Sequence, residues 1–134
     1  MYISETSIRV RYAETDQMGY VYYGHYAMYY EVARVESLRQ LGLTYREIED
    51  MGIMMPVLEN RSKYLAPARY DDLLRIVTTL REKPRVKIKF EYDIYNGDDT
   101  LIHQGETILV FIKKATNRPC RQPAEMEKVL ERFF

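Results

Sequence analysis

The chain has 134 residues, 20 basic and 20 acidic side chains, and no formal net charge. That length fits one domain with a core of its own, and the balanced charge argues against a nucleic-acid binder, which needs a positive excess. The single cysteine, Cys120, excludes an internal disulfide and supplies too little sulfur for a zinc ribbon or a CxxC redox site.

The first run, Tyr2 to Tyr12, alternates best in its later half. It predicts a strand with Ile8, Val10 and Tyr12 turned inward. A polar turn follows, Glu14-Thr15-Asp16-Gln17-Met18-Gly19. Six of the 13 tyrosines then crowd between Tyr20 and Tyr30. Tyr26, Tyr30, Ala33, Leu38 and Leu41 share one broad helical face, and Met28, Val32 and Val35 a second. The spacing predicts a helix of about 17–19 residues, apolar and buried on two sides. Gly42 stops it, since glycine tolerates the left-handed conformation of a helix end. Thr44 and Glu47 offer a capping box for a short second helix ending near Gly52.

The second half is strand-like. Between Met55 and Leu65, Glu59, Arg61 and Lys63 alternate with Asn60, Ser62 and Tyr64. Leu73 to Leu80 makes another strand, with Lys83-Pro84 at the turn after it. Val86, Ile88, Phe90, Tyr92 and Ile94 alternate strictly with Arg85, Lys87, Lys89, Glu91 and Asp93. Asn96-Gly97-Asp98-Asp99 is turn chemistry, and Leu101 to Ile112 is a second long strand. The chain breaks at Asn117-Arg118-Pro119, and Pro123 opens a short C-terminal helix. No repeat or linker divides residues 1–134, which read as a single domain. The four late strands are expected to form an antiparallel meander, and one apolar helix on one such sheet is an α+β fold. The apolar surface left at the edges predicts a homodimer at least. No run approaches a membrane span, and the N-terminus lacks the pattern of a signal peptide, so a cytoplasmic location is expected.

There is no GxSxG, no phosphate-binding glycine loop and no HExxH. His25 and His103 lie far apart and outside ligand spacing, so no metal is expected. Cys120 has no histidine near it in sequence and reads as a bystander. Asp16 is the carboxylate of interest, in a tight turn just ahead of the long helix. The helix start near Tyr22 to Tyr26 presents unpaired backbone N–H groups, which favour charge developing on a carbonyl oxygen under attack. A carboxylate beside such a site is a minimal hydrolytic constellation, with Asp16 as nucleophile or base. On the residues alone, an Asx-turn or a helix cap is the simpler reading of Asp16.

The run Tyr12-Ala-Glu-Thr-Asp16-Gln-Met-Gly19-Tyr-Val-Tyr-Tyr23-Gly-His-Tyr26, with Tyr30-Glu31-Val-Ala-Arg34 after it, resembles the 4-hydroxybenzoyl-CoA thioesterase family. It is most similar to the branch of Tol-Pal-associated acyl-CoA thioesterases. A second block agrees, Tyr64-Leu-Ala-Pro67-Ala68-Arg-Tyr-Asp71-Asp72. The likeness spans about residues 5 to 115. It implies a hotdog fold, a long central helix wrapped by an antiparallel sheet of about five strands, and an acyl-CoA thioesterase without a cofactor. It implies Asp16 as the catalytic aspartate and the backbone N–H of Tyr23 as the group that polarises the thioester carbonyl. The branch often carries His where Tyr23 stands, with His25 two residues on. Gly19 would turn the chain tightly into the helix, and Glu31 and Arg34 would pair along it. Arg85, Lys87 and Lys89 would meet the coenzyme A phosphates across a subunit boundary, or form a solvated face. Asn60 and Ser62 would line the acyl pocket from a neighbouring subunit. The expected assembly is a homodimer, extended to a homotetramer. The alternatives are a thioesterase acting on acyl carrier protein, and a hotdog module that binds acyl groups or a partner without catalysis.

Overall fold

The structure, a computed structural model, describes residues 1–134. Strand β1 (Tyr2–Arg9) leads through short 3-10 turns into the main helix α1 (Tyr26–Arg39) and a small helix α2 (Tyr45–Asp50). Then come β2 (Ile53–Met54), β3 (Val57–Tyr64), β4 (Leu73–Leu80), β5 (Lys87–Tyr95), β6 (Leu101–Val110), β7 (Ile112–Lys113), β8 (Arg118–Pro119) and α3 (Ala124–Leu130). Five strands make one antiparallel sheet in the order β1-β4-β5-β6-β3, and β2-β7-β8 form a small second one. This is the long helix against a five-stranded sheet that the hotdog resemblance implies.

Alternation sets the two faces of the sheet. Ile76 of β4, Ile88, Phe90 and Ile94 of β5 and Leu109 of β6 are buried under α1. The opposite face is charged and laced across strands by Arg75–Glu5, Arg81–Glu91 and Lys89–Glu106. Such solvent-exposed pairs set register more than stability.

Three expectations need correction. Strands β4, β5 and β6 form a meander, but β3 does not join it at β4. The place beside β4 belongs to β1, and β3 closes the far edge on β6. The reason is topological: α1 lies across the sheet between β1 and β3, so the chain resumes pairing on the other side. Second, the strand at the N-terminus ends at Arg9, so Tyr12 lies in a 3-10 turn and is 78% exposed. Third, α1 is buried on one side only. Tyr26, Tyr29, Tyr30, Ala33, Arg34, Ser37 and Leu38 face the sheet, whereas Met28 and Val32 are exposed. The five-stranded sheet covers one side of the helix only, and the small second sheet does not cover Met28 and Val32.

The short elements follow their local signals. Thr44 accepts the Glu47 N–H at 3.2 Å and caps α2. Gly42 and Gly52 end the helices with positive φ.

Candidate active site

Asp16 sits at the tip of a miniature hairpin between β1 and α1. Thr15 bridges Val21, the Asp16 N–H donates to the Tyr20 carbonyl at 2.8 Å, and the Gly19 N–H returns to the Asp16 carbonyl at 3.0 Å. Gly19 has φ of 79°, a conformation that penalises a side chain, so glycine closes the turn without that strain. The Asp16 carboxylate is divided in its duties. Oδ1 accepts the Met18 N–H at 2.9 Å and the Tyr20 N–H at 3.3 Å. Oδ2 takes no donor from the protein. The Asx-turn is thus present, and it leaves Oδ2 without a protein donor.

The hairpin delivers the chain to the start of the helix. Tyr22 N–H donates to the Glu14 carbonyl at 2.9 Å, and Tyr23–His25 form a 3-10 turn that runs into α1. The N–H groups of Tyr23 and Gly24 have no backbone acceptor. These are the free donors of a helix start, and they favour an oxyanion. The Tyr23 ring is 66% exposed, so its amide rather than its phenol belongs to the protein framework.

A cleft of about 270 Å³ opens beside this turn. Tyr20, Val21 and Tyr26 form one wall, and Tyr64, Leu65 and Pro67 the other. The second block of the sequence reaches the site here, because the Val21 N–H donates to the Ala68 carbonyl at 2.8 Å and Tyr20 bridges Arg69. A larger depression, about 460 Å³, lies on the charged outer face of the sheet between Arg61, Arg81 and Glu106. It is on the far side of the sheet from α1 and carries none of the site residues except Ser62 at its rim.

Beneath the cleft is a buried polar cluster that sequence reading did not find. His103 stacks on Tyr26 with ring centroids 3.9 Å apart, and its Nε2 is hydrogen-bonded to the Tyr30 hydroxyl. That hydroxyl also meets Ser62 Oγ at 2.6 Å. Burial pushes the imidazole down to about 4, so His103 is neutral near pH 7. Nδ1 is buried without a partner. Further along α1, Arg34 turns inward. It donates from Nε to the Tyr45 hydroxyl at 3.2 Å and from Nη1 to the Tyr92 hydroxyl at 3.0 Å and Thr107 Oγ1 at 3.3 Å. The expected Glu31–Arg34 ion pair is therefore absent: Arg34 points into the sheet while Glu31 faces solvent.

The remaining expected site residues do not gather at Asp16 within one chain. Asn60 and Ser62 lie on the inward parity of β3, Ser62 against the Tyr30 hydroxyl, yet both are exposed at this open sheet edge. Asn60 Oδ1 accepts from Thr107 Oγ1 at 2.6 Å. Arg85 and Lys87 are exposed, and Lys89 pairs with Glu106 at 3.3 Å. Lys87 pairs with Val110, while the Ile94–His103 end of the same strands lies by the cleft. Seven strand residues separate the two ends, roughly 23 Å at 3.3 Å each. No group of three His, Cys, Asp or Glu side chains converges. Glu14, which sequence reading passed over, is nearly fully buried beside Asp16's turn.

Comparison with known proteins agrees with this fold. The profile of the thioesterase-like superfamily matches residues 10–133. The chain is 31% identical over 116 residues to the acyl-CoA thioester hydrolase YbgC of Escherichia coli O157:H7, covering 87% of each. It is 32% identical over 119 residues to YneP of Bacillus subtilis, a protein named provisionally as an acyl-CoA thioesterase, covering 89% of this chain and 86% of that one. Among solved structures, a DHNA-CoA thioesterase from Staphylococcus aureus superposes with a TM-score of 0.86 at 35% identity, over 100% of this chain and 85% of the other.

Proposed function

The chain belongs to the thioesterase-like superfamily and is a thioester hydrolase, and from that premise we propose that it cleaves acyl-CoA with Asp16 as nucleophile or base. One observation carries the assignment. Asp16 has one oxygen clamped by two backbone N–H groups and the other free, on the same hairpin that leads to the unpaired N–H groups of Tyr23 and Gly24. The thioester carbonyl oxygen is placed at the Tyr23 N–H, where the helix start stabilises the charge that develops on it. The free oxygen of Asp16 then attacks the carbonyl carbon, or takes a proton from the water that does. Coenzyme A leaves as thiolate. In the nucleophilic route water then cleaves the acyl–aspartyl anhydride and restores the carboxylate.

The substrate lies across a homodimer boundary in this reading. The exposed inward face of β3, with Asn60 and Ser62, lines the acyl pocket of the partner subunit. The basic residues Arg85, Lys87 and Lys89 meet the coenzyme A phosphates from that partner, since they lie at the wrong end of their own sheet. The motif is read as that of the Tol-Pal-associated branch, with Tyr23 where that branch often has His. The acyl group belongs in a cleft walled by rings, about twice the volume of the ~150 Å³ cavity that holds a benzene molecule.

The test is thiol release from a panel of aromatic, short-chain and long-chain acyl-CoAs. Asp16→Asn is expected to fold normally and to lose on the order of 100-fold or more in kcat. Undiminished turnover in that variant would sink the mechanism.

A further inference from the structure

We infer that Glu14 is a positioning residue, which holds the Asp16 hairpin and the start of α1 in one fixed relation through Tyr29. The inference rests on the catalytic reading of Asp16. Glu14 is 3% exposed, which is unusual for a carboxylate. Its side chain takes four hydrogen bonds. Oε1 accepts the Tyr29 hydroxyl at 2.9 Å and the Arg11 N–H at 2.9 Å. Oε2 accepts Arg11 Nε at 3.1 Å and Nη2 at 3.0 Å. Its backbone carbonyl accepts the Tyr22 N–H at 2.9 Å, one residue before the proposed oxyanion donor.

Together these bonds tie three pieces, with three of them going to Arg11. Arg11 is the end of the chain coming from β1. Tyr29 is one turn into α1 and 1% exposed, fixed by its packing. Tyr22 is the residue from which the helix start departs. Glu14 lies two residues before Asp16, at the foot of the hairpin. Remove its side chain and the hairpin keeps the Thr15–Val21 bridge but loses its side-chain bond to α1. The separation between the Asp16 carboxylate and the Tyr23 N–H would then be free to drift. Catalysis by a fixed carboxylate and a fixed donor is sensitive to displacements of about 1 Å.

The electrostatics fit a permanent strut. Burial alone would push the Glu14 carboxyl up, but the Arg11 N–H, the Tyr29 hydroxyl and the Arg11 guanidinium together hold it below the usual carboxylate range. Tyr29 is pushed well above the usual phenol range by burial and by its bond to Glu14, so it remains a donor. The strut is therefore charged on one side and protonated on the other wherever the enzyme would work.

The experiment is a double-mutant cycle read on kcat, with single-turnover assays for the slow variants. Glu14→Gln is expected to lower kcat about tenfold with KM within twofold, and Tyr29→Phe about threefold. Circular dichroism should be unchanged, and Tyr29→Phe serves if Glu14→Gln fails to fold. In an Asp16→Asn background neither change should lower kcat further, because the role acts through Asp16. Two results overturn the inference: Tyr29→Phe and a folded Glu14→Gln with native kcat, or equal losses with and without Asp16. Should Asp16→Asn itself leave turnover intact, the catalytic reading falls first and this one with it.

Discussion

At the scale of single residues, the sequence pointed to Asp16 through its local surroundings, and the same surroundings explain its geometry. Met18, Gly19 and Tyr20 all lie within four residues, so the turn that clamps Oδ1 is legible in the motif. Glu14 was not legible, because its importance comes from Tyr29, fifteen residues on. His103 is the same case. Read alone it is one histidine on a strand, and only packing brings Tyr26, Tyr30 and Ser62 around it. Its burial has a thermodynamic consequence. The folded state holds the imidazole near 4, while the unfolded chain titrates near 6.5. The unfolded state thus binds the extra proton first as pH falls. Stability from this group is complete above about 6.5 and is lost progressively toward 4, by on the order of 3 kcal/mol. Urea denaturation from pH 7 to 4.5 should show that decline, and His103→Gln should flatten it. Parallel curves for the two proteins would remove His103 as the cause.

At the scale of elements, the contact between α1 and β6 is closer than any side chain would permit. The Tyr30 hydroxyl sits where a Cβ on Gly105 would lie, so the helix rests on the strand through that ring. Tyr30 stacks on Tyr92 of the neighbouring strand at 4.3 Å. Gly105→Ala must push α1 away from the sheet or turn Tyr30 out of its network with Ser62 and His103. Overpacking of this kind costs about 1–3 kcal/mol. A thermal melt should show a clear loss of Tm, and Tyr30→Phe combined with Gly105→Ala should not restore it fully, since the ring carbons are also too near. A Tm equal to that of the native chain would show that α1 sits less tightly. The sequence read the strand of Gly105 correctly and the helix of Tyr30 correctly. It could not register one against the other, because the pairing couples residues 75 apart.

At the scale of the whole molecule, the chain carries an apolar surface it does not use. Met28 and Val32 on α1, and Val57, Leu58 and Tyr64 on β3, are all exposed. All eight residues of β3 are exposed, and it is an edge strand with one unpaired side. An open edge of that length invites a second copy. A homodimer across β3 would bring Asn60 and Ser62 to a neighbour's site, as the proposed mechanism requires. Sedimentation should find a dimer for the native chain. Leu58→Glu, a charge placed on that surface, should shift it toward monomer and reduce turnover together. A fully active monomer would contradict the shared site.

What the sequence by itself determined is local. Period-2 alternation placed β5, the capping box placed α2, and the compact run from Tyr12 to Tyr26 located the Asp16 turn and the family. Each rests on residues close in the chain, whose side chains must share a face or close a turn. The tertiary structure decided what depends on residues far apart. It put β3 beside β6 rather than β4, turned Arg34 away from Glu31, left one side of α1 bare, and buried Glu14 and His103. The physical reason is common to all of these. Burial and long-range hydrogen bonds are properties of the packed chain, and no local pattern encodes which distant hydroxyl or strand will arrive.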